Sequence, residues 1–300
     1  MTTDTDPFYS GRWDKTASRR WHGREKAGRA SGRILLFAVG AVIVFLYLFP
    51  VYWMYISGFK TSGEIFSRPP TFFPEAPTWD SFRWIFEREN MGRYLANSFI
   101  LAGSVTAITL VLGSGAAYGL AALRSRWADA VLLFVLISQV LPPALMATPM
   151  FVVFRQLGLI NTMWAVILAT TSKTLPFAII MLRTTFLQIP HELEEAARSD
   201  GCTRFKAFFL IVLPVAKVGI LVTGILAFIQ AYGEFIYALA LLTKKNWQPA
   251  TVGLYGFVGA EYADWNNVMA FASVFVTPVI LLFALLQRRI VSGLTAGSVK

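Results

Sequence analysis

Long apolar runs separated by short polar segments dominate this chain. A bilayer core takes about 20 residues of α-helix to cross, and six runs reach that length: 34–57, 95–123, 131–154, 163–187, 218–242 and 268–286. Gly and Pro interrupt several runs, which membrane helices tolerate where neighbouring helices satisfy the freed backbone groups. The pattern predicts an all-α, polytopic membrane protein with six transmembrane helices.

The composition supports the same fold class. The chain has 300 residues, of which 56% are hydrophobic and 15% are charged. A soluble helical bundle would need polar faces that these runs lack. The first run is too long for a cleaved signal peptide, and no small-residue cleavage site follows it. We expect it to remain as a span.

The distribution of Lys and Arg predicts the orientation, because cytoplasmic loops carry an excess of them. With six spans, the segment 1–33, the linker after the second run, the segment 183–217 and the C-terminal end share one side, which holds most of the basic residues. We expect both termini to be cytoplasmic. The net charge of +10 follows from this bias and from contact with anionic headgroups, so it requires no nucleic-acid partner.

This topology gives three parts. Residues 1–33 form a basic cytoplasmic segment, 34–287 the six-helix transmembrane domain, and 288–300 a cytoplasmic tail. A surface-lying anchor and a disordered tail both fit the first segment. The outer loop at 59–93 is rich in proline and then in aromatic residues, so we expect a short amphipathic helix from Trp79 to Phe86. Gly115 and Gly119 form a small-xxx-small pattern that favours close helix packing.

The polar segment 188–217 lies between the fourth and fifth runs and predicts two short helices. Pro190 suits a helix start, and Gly201 permits the chain to end the first helix and turn. Acidic residues in the first turn complement the helix dipole. Leu193, Ala196 and Ala197 form a small apolar face that a partner could approach closely. The second helix has an apolar stripe of Phe205, Phe208, Phe209 and Val212, and Pro214 marks the return to the membrane.

The spacing in this segment is specific. Glu195-Ala196-Ala197 is followed by three residues, Gly201, nine residues and Ile211-x-Leu213-Pro214. This closely resembles the cytoplasmic coupling loop of the membrane subunits of ABC importers. Further segments resemble the carbohydrate-uptake, maltose-type second permease: Asn97-Ser98, 117–120, 141–143, 158–161, Pro176-Phe177 and 287–300. One departure is the fifth span, where Ala231-Tyr232-Gly233-Glu234-Phe235 replaces the Trp-Asn-Glu-Phe often found in the family.

The resemblance implies an ABC type I importer transmembrane domain in the bacterial cytoplasmic (inner) membrane. Its partners would be a second permease subunit in a heterodimer, two ATPase subunits and an extracytoplasmic solute-binding protein. The substrate would be a sugar or sugar derivative, moved by alternating access. ATPase coupling is expected from eight residues of the loop: Glu194, Glu195, Ala196, Ala197, Asp200, Gly201, Phe205 and Pro214.

The sequence predicts no catalysis by the chain itself. It contains no Gly-x-x-x-x-Gly-Lys-Ser/Thr phosphate loop, so ATP and Mg²⁺ would be bound by the partner ATPase and no cofactor by this subunit. The single Cys202 excludes an internal disulfide and a cysteine-based metal site. His22 and His191 are too few for a metal cluster.

Of the charged residues within the apolar runs, Lys173 and Glu234 most need explaining, because an ionisable group inside a membrane marks a partner or a water-filled path. Lys173 and Glu234 lie at similar depths, so a cross-helix ion pair is possible. A structural pair, a solute path and a Lys173 that snorkels to the interface remain open. If Lys173 lines the path, an anionic sugar derivative becomes more attractive than a neutral one. The candidate path residues are Gln139, Lys173, Gln230, Tyr232 and Glu234, with Asn161 as a further polar candidate.

Two other classes of function predict different sequence features. An ion-coupled secondary transporter would predict repeats, paired broken helices and more buried acidic residues, and the sequence shows no repeat. A membrane-embedded enzyme would need clustered His, Asp or Glu near the midplane, where only Glu234 qualifies. The identity of the solute stays open.

Overall fold

A computed structural model describes residues 15–123, 126–258 and 264–295. These residues form helices and connecting turns, with no strand among them. The predicted N-terminal and C-terminal segments fall partly outside this part of the chain, at 1–14 and 296–300. The helices are α1 Lys15–Gly58, α2 Asp80–Glu87, α3 Met91–Ala122, α4 Arg126–Ser138, α5 Pro143–Gln156, α6 Met163–Leu187, α7 His191–Ser199, α8 Arg204–Ala207, α9 Leu213–Val215, α10 Lys217–Tyr232, α11 Ile236–Leu241, α12 Ala250–Val258 and α13 Trp265–Thr295. A π-helical turn, Phe208–Val212, joins α8 to α9.

The chain divides into two units. The first, Met1–Trp53, contains the greater part of α1. Its apolar stretch carries hydrophobic residues around the whole helix, as expected for a span surrounded by lipid. The second unit, Met54–Lys300, contains the end of α1 and all the other helices.

Four of the described helices are long and apolar enough to cross a membrane, or six spans result if each of two bent pairs counts as one. The four are Leu35–Gly58, Met91–Ala122, Met163–Leu187 and Trp265–Gln287. They agree with the first, second, fourth and sixth predicted runs.

The third predicted run, 131–154, is not one helix. Helices α4 and α5 meet at 98°, and the bend lies at the Pro142-Pro143 pair. A residue before proline is pushed out of the helical region, and Pro142 accordingly has an extended backbone with ψ of 130°. Pro143 then occupies the first position of α5, where its missing N–H is not needed.

The fifth predicted run, 218–242, is also interrupted. Helix α10 ends at Tyr232, and α11 begins at Ile236. A second bend of 77° separates the stretch Arg204–Val215 from α10. Between α10 and α11, the Glu234 Oε1 atom accepts a hydrogen bond of 2.9 Å from the Tyr237 backbone N–H. The side chain thereby satisfies a donor that a helix start leaves open, and it stabilises the break.

Helices α3, α6 and α10 pack together around a buried apolar core that includes Leu101, Val105 and Val166. The close approach of α6 and α10 depends on Gly219, because a Cβ there would collide with the Thr185 side chain. The Gly115–Gly119 pattern does not make the helix contact predicted for it. A Cβ at either glycine would meet no atom of the described residues within 4 Å.

The loop predicted to lie on the outer side folds back on itself between α1 and α3, and its predicted helix is confirmed as α2. The Glu64 carboxylate accepts hydrogen bonds from the Thr71 hydroxyl at 2.8 Å and the Glu75 backbone N–H at 2.9 Å. Burial alone would raise the pKa of Glu64, but these hydrogen bonds and the Lys60 ammonium outweigh it and hold the pKa below its usual value. The buried Lys60 ammonium also donates to the Thr71 carbonyl.

Candidate coupling loop and transport path

Helix α7 is bounded by the residues that the sequence predicts for its ends. Pro190 precedes its first residue. At its C-terminus, Gly201 has a φ of +88°, a left-handed conformation that glycine adopts without steric cost. The N–H groups of Cys202 and Gly201 donate to the carbonyls of Ala197 and Arg198 at 3.0 and 3.1 Å. These two bonds form a Schellman motif, which fixes where the helix stops.

The two sides of α7 have different surroundings. Glu195 and Ala196 are exposed, and Leu193 is 43% exposed. Ala197 is 8% exposed, and Glu194 is largely covered. Residues three apart share a helix face, so Glu194 and Ala197 both point inward. The prediction that Ala197 shares the outward apolar face with Leu193 and Ala196 is therefore wrong.

The second predicted apolar stripe is split between two faces. Phe205 and Phe209 are exposed and contact each other with ring centroids 4.8 Å apart. Phe208 and Val212 are buried. The reason is the π-helical turn, whose wider hydrogen-bond spacing shifts the register within the helix. Sequence periodicity alone contains no sign of this turn.

The remaining predicted coupling residues are Asp200, Gly201 and Pro214. All three are exposed. The exposed predicted residues therefore include Glu195, Ala196, Asp200 and Phe205 on the loop. Glu194 is largely covered and pairs with the exposed Arg204 guanidinium, with Nε 3.5 Å from Oε1.

The structure brings together three of the predicted path residues. Lys173 Nζ lies 3.4 Å from Glu234 Oε2, and the Gln139 side-chain amide donates to the Lys173 carbonyl at 3.2 Å. The Glu234 side chain is 1% exposed and the Lys173 side chain 35%. The carboxylate is thus fixed inside the bundle while part of the lysine stays accessible.

The other path candidates have structural partners or lie apart from this group. The buried Tyr232 donates its hydroxyl to the Phe275 carbonyl at 3.0 Å, and the two rings stack. Asn161, with φ of 62°, accepts hydrogen bonds from the Thr243 and Lys244 N–H groups, so it fixes the turn after α11. Gln230 is half-buried in α10.

Sequence reasoning missed several polar residues that hold the end of the bundle at which α3 begins and α11 ends. Asn97 donates to the carbonyls of Asn246 and Gln248, both at 2.9 Å, and the Ser98 hydroxyl accepts from the Ala250 N–H. The Thr251 hydroxyl donates to the Glu234 carbonyl. The Asn97-Ser98 pair resembled the family, but nothing in its pattern indicated what it binds. Among the described residues, no group of three His, Cys, Asp or Glu side chains could hold a metal ion.

Comparison with known proteins places this arrangement in a family. Residues 95–295 match the family described as "Binding-protein-dependent transport system inner membrane component". The sulfoquinovosyl glycerol transport system permease protein SmoH of Agrobacterium fabrum is 35% identical over 90% of this chain and 95% of its own. The diacetylchitobiose uptake system permease protein DasC of Streptomyces coelicolor is 34% identical over 87% and 95%.

A solved structure gives the fold. A chain of a bacterial ABC transporter involved in the import of the acidic polysaccharide alginate superposes with a TM-score of 0.73 and 19% identity, covering 87% of this chain and 97% of that one. Membership of this family favours a binding-protein-dependent transport subunit over the ion-coupled secondary transporter. The protein belongs to the inner membrane components of binding-protein-dependent transport systems, and it has the fold of an ABC importer transmembrane domain.

Proposed function

We propose that the chain is the permease subunit of an ABC importer that moves a sugar or sugar derivative into the cell. The observation that carries the proposal is the outward face of α7, on which Glu195 and Ala196 are exposed, together with the exposed Phe205 of α8. A rigid helix with small and acidic residues on its free side suits a groove on an ATPase. The relatives named for sulfoquinovosyl glycerol and diacetylchitobiose support a carbohydrate substrate.

The complete importer would contain further subunits. A second, different permease would form a heterodimer with this chain, two ATPases would bind at the coupling loops and supply ATP and Mg²⁺, and an extracytoplasmic binding protein would deliver the solute. The family description, which specifies binding-protein dependence, supports the last of these. The positive-inside bias supports a cytoplasmic coupling loop and cytoplasmic termini in the bacterial inner membrane.

Transport would proceed by alternating access. ATP binding would close the ATPases and move α7 with the bent helices attached to it, so that the cavity between the two permeases opens outward. Hydrolysis would return it to the inward-facing state. Gln139 and Lys173 would line the path, while the buried Glu234 holds the lysine in place. Because Glu234 balances the lysine charge, both hydroxyl-rich neutral sugars and anionic derivatives fit this site.

Replacing Glu195 with Ala tests the proposal. We expect the tagged wild-type subunit to co-purify from mild detergent with an ATPase and a second permease, and Glu195→Ala to recover several-fold less ATPase at an unchanged yield of permease. Glu87→Ala, an exposed change on α2 and outside the loop, serves as the control. Recovery of the wild type as an active homomer without an ATPase would overturn the proposed function.

A further inference from the structure

The inward face of α7 is covered by neighbouring parts of the protein, whereas its outward face is exposed. Ala197 is buried, and the Glu194 side chain is only 17% exposed, with Oε1 3.5 Å from Arg204 Nε. Glu195, the next residue, is exposed. Two adjacent glutamates therefore have separate surroundings, one inside the permease and one on its surface.

Behind Glu194, three aromatic rings join three elements. Tyr118 lies on α3, Phe186 on α6 and Phe208 on the π-helical turn of the loop. The Tyr118 ring centroid is 4.6 Å from that of Phe208 and 6.1 Å from that of Phe186. Closely packed side chains transmit displacement because they compress little. A movement of the loop would therefore reach α3 and α6 through these rings.

Tyr118 and Glu194 also line one small cavity, of about 30 Å³, between α3 and α7. The Tyr118 hydroxyl is buried and has no hydrogen-bond partner among the described residues. The Glu194 carboxylate is near enough to interact with it electrostatically. A buried hydroxyl without a partner is unfavourable, and a hydroxyl–carboxylate hydrogen bond is strong. A small shift of α7 toward α3 would complete that bond.

We propose that Glu194 and Tyr118 are positioning residues that carry the movement of the coupling loop to α3, while the outward face of α7 binds the ATPase. The inference rests on the proposed function, because it requires an ATPase below the loop. It assigns different roles to the two neighbouring glutamates. Glu195 contacts the ATPase, and Glu194 transmits the resulting movement of the loop to α3.

The chain offers a direct test, since Cys202 is its only cysteine. A fluorophore on Cys202 reports the loop, and one on Ala96→Cys in a Cys202→Ser background reports the outer part of α3, where Ala96 is exposed. Mg-ATP is added to the purified complex, and both labels should respond in the wild type. In Glu194→Gln and in Tyr118→Phe, we expect the Cys202 response and the bound ATPase to persist while the Ala96→Cys response falls several-fold.

Controls separate this inference from the proposed function. Glu87→Gln makes the same charge change at an exposed position on α2, outside the loop, and should leave both responses intact. Tyr118→Phe keeps the ring packing and removes only the hydroxyl, so it remains informative if Glu194→Gln folds poorly. A full Ala96→Cys response in both variants, or loss of ATPase binding in Glu194→Gln, would overturn the inference alone. A wild-type complex that contains no ATPase would overturn both proposals.

Discussion

Glu234 joins three helices through its side chain and its carbonyl. Its carboxylate pairs with Lys173 from α6 and accepts the Tyr237 N–H at the start of α11, and its carbonyl accepts from Thr251 on α12. An ionised carboxylate with 1% of its side chain exposed would be costly inside a membrane without such partners. The positions of Lys173 and Glu234 along their apolar runs predict the pair. They do not predict that Glu234 caps α11, because hydropathy gives no sign of the break between α10 and α11.

Removing Lys173 should destabilise the protein more than removing both charges. We expect Lys173→Met to lower the free energy of unfolding by about 3 kcal/mol, near the lower end for breaking a buried pair, because part of the lysine is exposed. Glu234→Gln in the same chain should restore much of the loss, since no buried charge is then left unpaired. Thermal unfolding in detergent measures the difference. Equal melting temperatures for Lys173→Met and wild type would show that the pair contributes nothing.

Helices and loops were predictable to different degrees. Hydropathy located the four unbroken spans, and the aromatic cluster located α2, because both depend on composition over many residues. The bend at Pro142-Pro143 had a visible signal that a hydropathy average does not register. The break at Gly233 and the π-helical turn had weaker signals, since they depend on which side chains compete for backbone N–H groups and on tertiary packing.

The outer loop should loosen when Glu64 is neutralised. Its pKa is lowered from 4.5 in the folded protein, so its contribution is complete above that pH and is lost as the pH falls through the folded pKa. Glu64→Gln should reduce the hydrogen-exchange protection of the Glu75 N–H at neutral pH. The wild type should approach the variant in acid, after correction for intrinsic exchange rates. Glu75→Gln keeps the backbone donor and should behave as wild type; equal protection in all three would contradict the role of Glu64.

For the molecule as a whole, family membership establishes a multi-pass membrane transport subunit, and the charge bias predicts its orientation. Four of the described helices are long enough to span the membrane by themselves, and two further spans require bent pairs. The path residues could be listed from polarity, but Tyr232 and Asn161 turned out to hold neighbouring backbone. A polar side chain inside a membrane needs a hydrogen-bond partner. Its polarity does not indicate whether that partner is a transported solute or a backbone group of the protein.

Cys202 also tests the orientation. It lies at the end of the coupling loop and is partly exposed, so a membrane-impermeant maleimide should label it only after spheroplasts are permeabilised. An exposed control, Phe73→Cys in a Cys202→Ser background, lies in the outer loop and should be labelled in intact spheroplasts. Labelling of Cys202 from outside would reverse the proposed topology.

The π-helical turn at Phe208–Val212 determines the direction in which α7 faces. An α-helix turns by about 100° per residue, so the extra residue held in this turn sets the rotation of α8, and of α7 packed against it, relative to α9. Deleting one residue here would convert the turn to regular α-helix and rotate α7 by about that angle. Under the proposed function, Glu195 would then face away from the ATPase, while the spans kept their own packing. The number of residues in this turn, rather than any single contact, would therefore decide whether the binding face of α7 points toward the ATPase.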